Sequence, residues 1–200
     1  MEKTENCYKT VAGLVETGKT NPTSSRLATK NGKELQKSVK NKSIKYKHLT
    51  RLSNVWVENP VYMINTCVKN RRKILANEKC HEILRDEWKS ALKLHGWKIG
   101  HYVVMPDHVH FFATATDKAK TLSGFLNKWK EWTCKKILRM IPTLKLESNH
   151  LWQKEFFDYV IRSHEKYYEK CMYIYNNPVR AGLITENEEW PYCGHIHFPL

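Results

Sequence analysis

The sequence predicts an α+β fold, a split β-α-β antiparallel sheet in the order β-α-β-β-α-β with one further helix after it. Three observations predict it. Four short segments alternate with the two-residue period of strands. Two long segments carry apolar stripes at helical spacing. A Pro106-Asp107 turn joins two of the strand segments into a hairpin.

The first strand is Pro60 to Cys67 (PVYMINTC), rich in β-formers. Residues 73–95 read as a helix, with Ile74, Leu75, Cys80, Ile83, Leu84, Trp88, Leu92 and Leu94 as its apolar stripe. Trp97 to Met105 (WKIGHYVVM) and His108 to Thr116 (HVHFFATAT) form the hairpin. Thr121 to Met140 is the second helix, with Leu122, Phe125, Leu126, Trp129, Ile137 and Met140 near one face and Pro142 ending it. Lys128, Lys130, Lys135, Lys136 and Arg139 are expected on its exposed side. Phe156 to Arg162 (FFDYVIR) is the fourth strand, and Ser163 is an N-cap for a last helix running to about Asn177. This order is the ferredoxin-like pattern. That fold serves many functions, so the sites must decide.

The chain has 200 residues and 41% hydrophobic composition, enough for one compact domain with an appendage. It has no apolar run of membrane-spanning length and no signal-peptide core, which predicts a cytoplasmic protein with no membrane partner. Six cysteines include no C-x-x-C pair, so reduced and mostly buried thiols are expected.

Charge is the strongest bulk signal. Thirty-four Lys and Arg face twenty Asp and Glu, a formal net charge of +14, which points to a polyanion such as nucleic acid. Residues 1–53 hold twelve of those cations against four Glu and show no sustained period. They read as a basic, disordered arm, either lying on phosphates or a passive tail. Residues 54–194 form the domain and 195–200 a tail.

His108 and His110 lie two apart on a strand, so both imidazoles share one face and can share one metal ion. A bare H-x-H also fits two partly exposed histidines at a strand end. The tight turn before this pair puts it where a ligand can enter. The second H-x-H, His195-Ile196-His197, sits among Pro191, Gly194 and Pro199, reads as an irregular tail and receives no role.

On the last helix, Tyr173 falls within about 60° of Lys166, Glu169, Lys170 and Asn177, a polar face. Tyr167, Tyr168, Cys171, Ile174 and Tyr175 fall opposite, on the core face. Tyr175 therefore reads as packing, and Tyr173 as either a surface tyrosine or a nucleophile aimed at a phosphate. A phenol ionises near pH 10, so it needs a base or a metal-polarised phosphate beside it. Two histidines leave a metal under-coordinated. Asn177, one turn after Tyr173, offers a hard amide oxygen, and Pro178 biases it toward a frayed helix end.

Taken together, Met105-Pro106-Asp107-His108-Val109-His110-Phe111, Trp152-Gln153 and Tyr173-Ile174-Tyr175-Asn176-Asn177-Pro178-Val179-Arg180-Ala181-Gly182-Leu183 resemble the single-tyrosine HUH transposases, nearest to the REP-associated tyrosine transposases. The resemblance spans roughly residues 52–194. It implies a ferredoxin-like sheet with the nucleophile on a C-terminal helix. Tyr173 is then the nucleophile, and His108, His110 and Asn177 the ligands of Mg²⁺ or Mn²⁺. The implied substrate is single-stranded DNA with a hairpin, cleaved through a 5′-phosphotyrosine link that leaves a 3′-OH and rejoined by the reverse step. The long basic arm departs from the family pattern. Members include monomers and dimers, so the oligomeric state stays open.

Around this centre, Arg162, Lys166, Lys170 and Arg180 are candidate phosphate contacts, or a solvated charged face. Trp132 lies off the apolar stripe of its helix and is the candidate for base stacking. Two other readings use the same residues. One is a module that binds structured nucleic acid without cutting it. The other is a metal-dependent phosphodiesterase that uses water and is indifferent to Tyr173→Phe.

Overall fold

The structure, a computed structural model, describes residues 60–142, 144 and 150–198. The basic segment 1–53 and the expected domain start near Val55 lie outside the described residues.

Strand β1 (Val61–Cys67) is followed by a 3-10 turn at Lys69–Arg71 and helix α1 (Glu78–His95). Strands β2 (Trp97–Val104) and β3 (His108–Ala115) form the hairpin, and helix α2 (Leu122–Met140) follows. Strand β4 (Phe157–Ile161), helix α3 (His164–Tyr175), the one-turn helix α4 (Asn177–Arg180) and strand β5 (Cys193–His195) complete the order. The strands pair antiparallel in the order β4-β1-β3-β2-β5. The first four are the split β-α-β arrangement that the sequence predicts; β5 is an addition to it.

Helix α1 starts five residues later than expected. The amides of Ile74 and Leu75 are committed to the Pro106 carbonyl at 2.7 and 2.8 Å, which keeps residues 74 and 75 out of the helix. Asn77 then caps the helix by accepting from the Cys80 amide at 3.0 Å. Cys80, Leu84, Trp88 and Ala91 form the buried stripe, whereas Leu92 and Leu94 are exposed, against expectation. Gly96 ends the helix with φ of 75°, and a Cβ there would meet Ala119 Cα at 2.7 Å.

Each face of the sheet carries its own core. On one, Ile64, Ile99, Tyr102, Val109, Phe111 and Ala113 pack under α1 and α2. Trp88 and Trp129 stack there, centroids 5.5 Å apart and planes 11° apart, and Trp129 meets Trp152 at 5.0 Å. Truncating one of these fully buried indoles to alanine costs about 3–5 kcal/mol. On the other face, Met63, Val103, Met105, Phe112 and Ile161 pack against Tyr167, Cys171, Ile174 and Tyr175 of α3.

Two expectations need correction. Lys130 is 8% exposed, not on the solvent side of α2. Its ammonium donates to the carbonyls of Gln153, Lys154 and Glu155 at 2.9, 3.1 and 3.0 Å, holding the segment that leads into β4. The segment around the second H-x-H is not irregular throughout. Cys193 to His195 pair with β2, and His197 Nδ1 accepts from the Ile99 amide at 3.0 Å. Among the described cysteines, Cys80, Cys134, Cys171 and Cys193 are buried and Cys67 is half-buried, all as free thiols. No helix among the described residues is long and apolar enough to cross a membrane.

Candidate active site

The alternation of β3 decides where its histidines point. Val109, Phe111 and Ala113 face α1 and α2, so His108, His110 and Phe112 face the α3 side. The two imidazoles stand 4.9 Å apart, nearly perpendicular. His110 lies in register between Asn65 of β1 and Val103 of β2, and His108 lies opposite Cys67.

His110 is only 4% exposed. Burial pushes its pKa down to about 3, and neighbouring His108 and Arg71 push the same way. Burial also lowers His108, against the opposing pull of Asp107. Both imidazoles are therefore neutral at physiological pH, the form that ligates metals. His108 is also oriented. Its Nδ1 hydrogen-bonds Asp107 Oδ1 at 2.6 Å, and Arg71 Nε pairs with the other carboxylate oxygen at 2.8 Å. Fixing Nδ1 this way leaves Nε2 free to face a ligand.

Helix α3 brings Tyr173 to the same place. Ser163 caps the helix by accepting from the Lys166 amide at 3.2 Å. Tyr173 is 42% exposed and its ring lies 6.3 Å from that of His110. Tyr175 is buried instead. Its hydroxyl meets His101 Nδ1 and donates to the Gly194 carbonyl at 3.3 Å. The two tyrosines thus divide as the helical wheel predicts, one to the histidines and one to the core.

Proline 178 has no amide hydrogen, and the last helix breaks at Asn176. It resumes at once as α4, where the Arg180 amide bonds the Asn176 carbonyl at 3.0 Å. Asn177 is therefore the first residue of a short helix and not a frayed end. That turn also carries Arg180 over Tyr173, guanidinium 5.0 Å from the ring centroid. Lys170 lies 5.8 Å from the same ring.

Among the buried polar atoms without a hydrogen-bond partner are Nδ1 of His110 and Nδ2 of Asn177, one turn after Tyr173. Buried polar groups are nearly always paired, so the orphaned His110 nitrogen suits a site that completes itself with a ligand, whereas the Asn177 nitrogen is a donor and calls for an acceptor. No three His, Cys, Asp or Glu side chains among the described residues gather as a metal cluster. The donor set on hand is two neutral imidazoles and one amide. Such donors would suit a divalent cation.

The other sequence candidates separate. Lys166 and Lys170 flank Tyr173 on α3, and both reach Glu169, at 2.6 and 3.4 Å. Arg162 is exposed just past β4. Trp132 is exposed on α2, on the far face of the sheet, with Lys135 Nζ 4.8 Å from its ring. Lys128 and Lys135 are paired with Glu131, and Lys136 with Glu87. Asp107 and Arg71 join the site beyond what the strand and turn pattern shows, an acid directly before an H-x-H pair being the one local signal of it. Trp152-Gln153 runs beside the end of β1, where Trp152 bridges to Val68 and the Gln153 amide bonds the Cys67 carbonyl at 2.8 Å.

Comparisons with known proteins speak to the family and the fold. The family model described as "Transposase IS200 like" matches residues 57–177. The chain is 26% identical to the REP-associated tyrosine transposase of Escherichia coli (strain K12) over 137 residues, 68% of this chain and 77% of that protein. A solved structure of a REP-associated tyrosine transposase bound to a REP hairpin superposes with a TM-score of 0.57 and 22% identity, over 72% of this chain and 82% of that one. At that identity the likeness speaks to the fold. The match to more than half of the sequence establishes that the chain belongs to the IS200-like transposase family.

Proposed function

We propose that the protein is a DNA strand transferase that binds single-stranded hairpin DNA, cleaves it through Tyr173 and rejoins it. The observation that carries this reading is the meeting of Tyr173 with His110 at 6.3 Å, beside His108 and under Arg180, in a chain of the transposase family. The hairpin held by the similar solved protein supports the substrate class.

In this mechanism the Tyr173 oxygen attacks a backbone phosphorus. A tyrosine O–P bond forms, the bond from phosphorus to the 3′ oxygen breaks, and the released strand takes a proton to become a 3′-OH. One phosphodiester replaces another, so the reverse attack by a 3′-OH rejoins DNA without an external energy source. Arg180 and Lys170 flank the tyrosine and are placed to hold phosphate oxygens. Arg162 and Lys166 extend that basic margin along the helix. His108, His110 and Asn177 would hold Mg²⁺ or Mn²⁺, with Asp107 orienting His108. When bound, the ion supplies Lewis-acid polarisation of the phosphate.

A denaturing-gel adduct assay tests the proposal. Labelled single-stranded hairpin DNA from the flanks of the gene is mixed with protein, with and without Mn²⁺. The expected result is a metal-dependent shifted band, absent in Tyr173→Phe and present in Tyr175→Phe. Cleavage without an adduct would mean a water-using phosphodiesterase, and binding without either would mean a binding module.

A further inference from the structure

Beside the tyrosine, the open edge of the sheet presents two aromatic rings that the core does not use. Phe157 and Tyr159 lie two apart on β4, an edge strand, and so share a face. The register places that face. Phe157 pairs with Asn65 of β1, which pairs in turn with His110; Tyr159 pairs with Met63, which pairs with Phe112. Met63 and Phe112 belong to the core under α3, so both β4 rings are on the histidine side of the sheet. Phe157 is two strands from His110, about 10 Å across the sheet.

Yet these rings are not covered. Phe157 is 45% exposed and Tyr159 is 39% exposed, whereas Met63, Phe112 and Ile161 on the same face are buried. Lys170 Nζ lies 5.6 Å from the Tyr159 ring and 5.8 Å from the Tyr173 ring, so one cation joins the exposed edge to the tyrosine. Lys166 on α3 and Arg162 just beyond the strand are exposed nearby, with Glu165 and Glu169 on the same helix.

From this juxtaposition we propose that Phe157 and Tyr159 form a stacking platform for unpaired bases of the DNA strand that crosses the Tyr173 site. The inference rests on the proposed function and deepens it. Every base has a π-face, so two exposed rings bind unpaired bases whatever their sequence, while Lys170 takes a phosphate between them and the tyrosine. Lys170, standing between the Tyr159 and Tyr173 rings, favours a strand that brings a phosphate to it over a second copy of this chain, whose formal net charge of +14 would bring like charge.

The test compares two DNAs by fluorescence anisotropy, a hairpin with unpaired flanks and the same hairpin with blunt ends, on wild type, Phe157→Ala, Tyr159→Ala and Tyr159→Phe. The expected result is a loss of about tenfold in affinity for the flanked DNA with each alanine, little change on the blunt DNA, and recovery with Tyr159→Phe. Near-UV circular dichroism checks that the variants are folded. Equal losses on both DNAs, or none on either, overturn the platform. So does light scattering that shows the alanines splitting a dimer while leaving DNA binding intact. Adduct formation by wild type on the flanked DNA is read in parallel. If wild type forms the adduct and the alanines bind normally, the platform alone fails. If wild type does not bind flanked DNA, the functional reading fails and the platform with it.

Discussion

Asp107 accepts a hydrogen bond from His108 at 2.6 Å while its second oxygen pairs with Arg71 at 2.8 Å. The carboxylate sits in the β2–β3 turn, which the backbone pins from outside: the Val68 amide bonds the Asp107 carbonyl at 2.8 Å. His108 is thus oriented by a group whose own position is fixed. Asp107→Ala is expected to weaken Mn²⁺ binding by roughly 10- to 100-fold. Calorimetric titration measures this without any DNA present. Unchanged affinity would mean that His108 does not depend on Asp107 for its orientation.

Glu169 holds both cations that flank Tyr173. Lys166 and Lys170 lower its carboxyl from the usual value, Lys166 first. Glu169→Gln releases the two ammonium groups, and hairpin DNA is expected to bind roughly two- to fivefold more tightly at low salt. The gain should shrink as salt is raised. A loss of affinity would show that the pair organises the helix face rather than competing with DNA.

Lys130 has a structural task. Methionine in its place leaves three carbonyls without their shared donor, a cost of about 2–3 kcal/mol. Thermal melting should fall by several degrees, whereas Lys128→Met, at an exposed surface pair, should change it little. If the two variants melt alike, the ammonium contributes nothing beyond solvation.

Acid should destabilise the fold before carboxylates are titrated. Burial pushes His101 and His81 down to about 4, with His195 and Arg85 adding to the effect respectively. Both are neutral when folded and protonate readily when unfolded. The stability they contribute is present in full above about pH 6.5 and is lost as pH falls toward 4. Each contributes on the order of 3 kcal/mol over that range. Melting temperatures measured from pH 7 to pH 4 should fall steadily, and replacing both histidines by glutamine should lessen the slope, the buried His110 keeping the rest. A flat wild-type profile would rule the explanation out.

Much of this architecture was legible in the sequence because it rests on period. The two-residue alternation of β3 put His108 and His110 on one face, and the helical wheel separated Tyr173 from Tyr175. What the sequence hid depends on partners distant along the chain. Ile74 and Leu75 look helical by spacing, but Pro106 claims their amides. Lys130 looks like any surface lysine until residues 153–155 curl over it. Strand β5 has three residues, too few for an alternation to register. Phe157 and Tyr159 look like ordinary strand formers in the sequence. Their exposure follows from β4 being an edge strand that α3 leaves uncovered, which no local pattern reveals.

The stacked indoles of Trp88 and Trp129, with Trp152 tilted against them, lie on the face of the sheet away from His110 and Tyr173. Rings so closely held couple their electronic transitions, which gives this layer a circular dichroism signature of its own. The protein therefore carries a built-in optical gauge of its helical layer. A variant at the tyrosine that leaves that signal intact has kept the helical layer, and one that erases it has altered the scaffold.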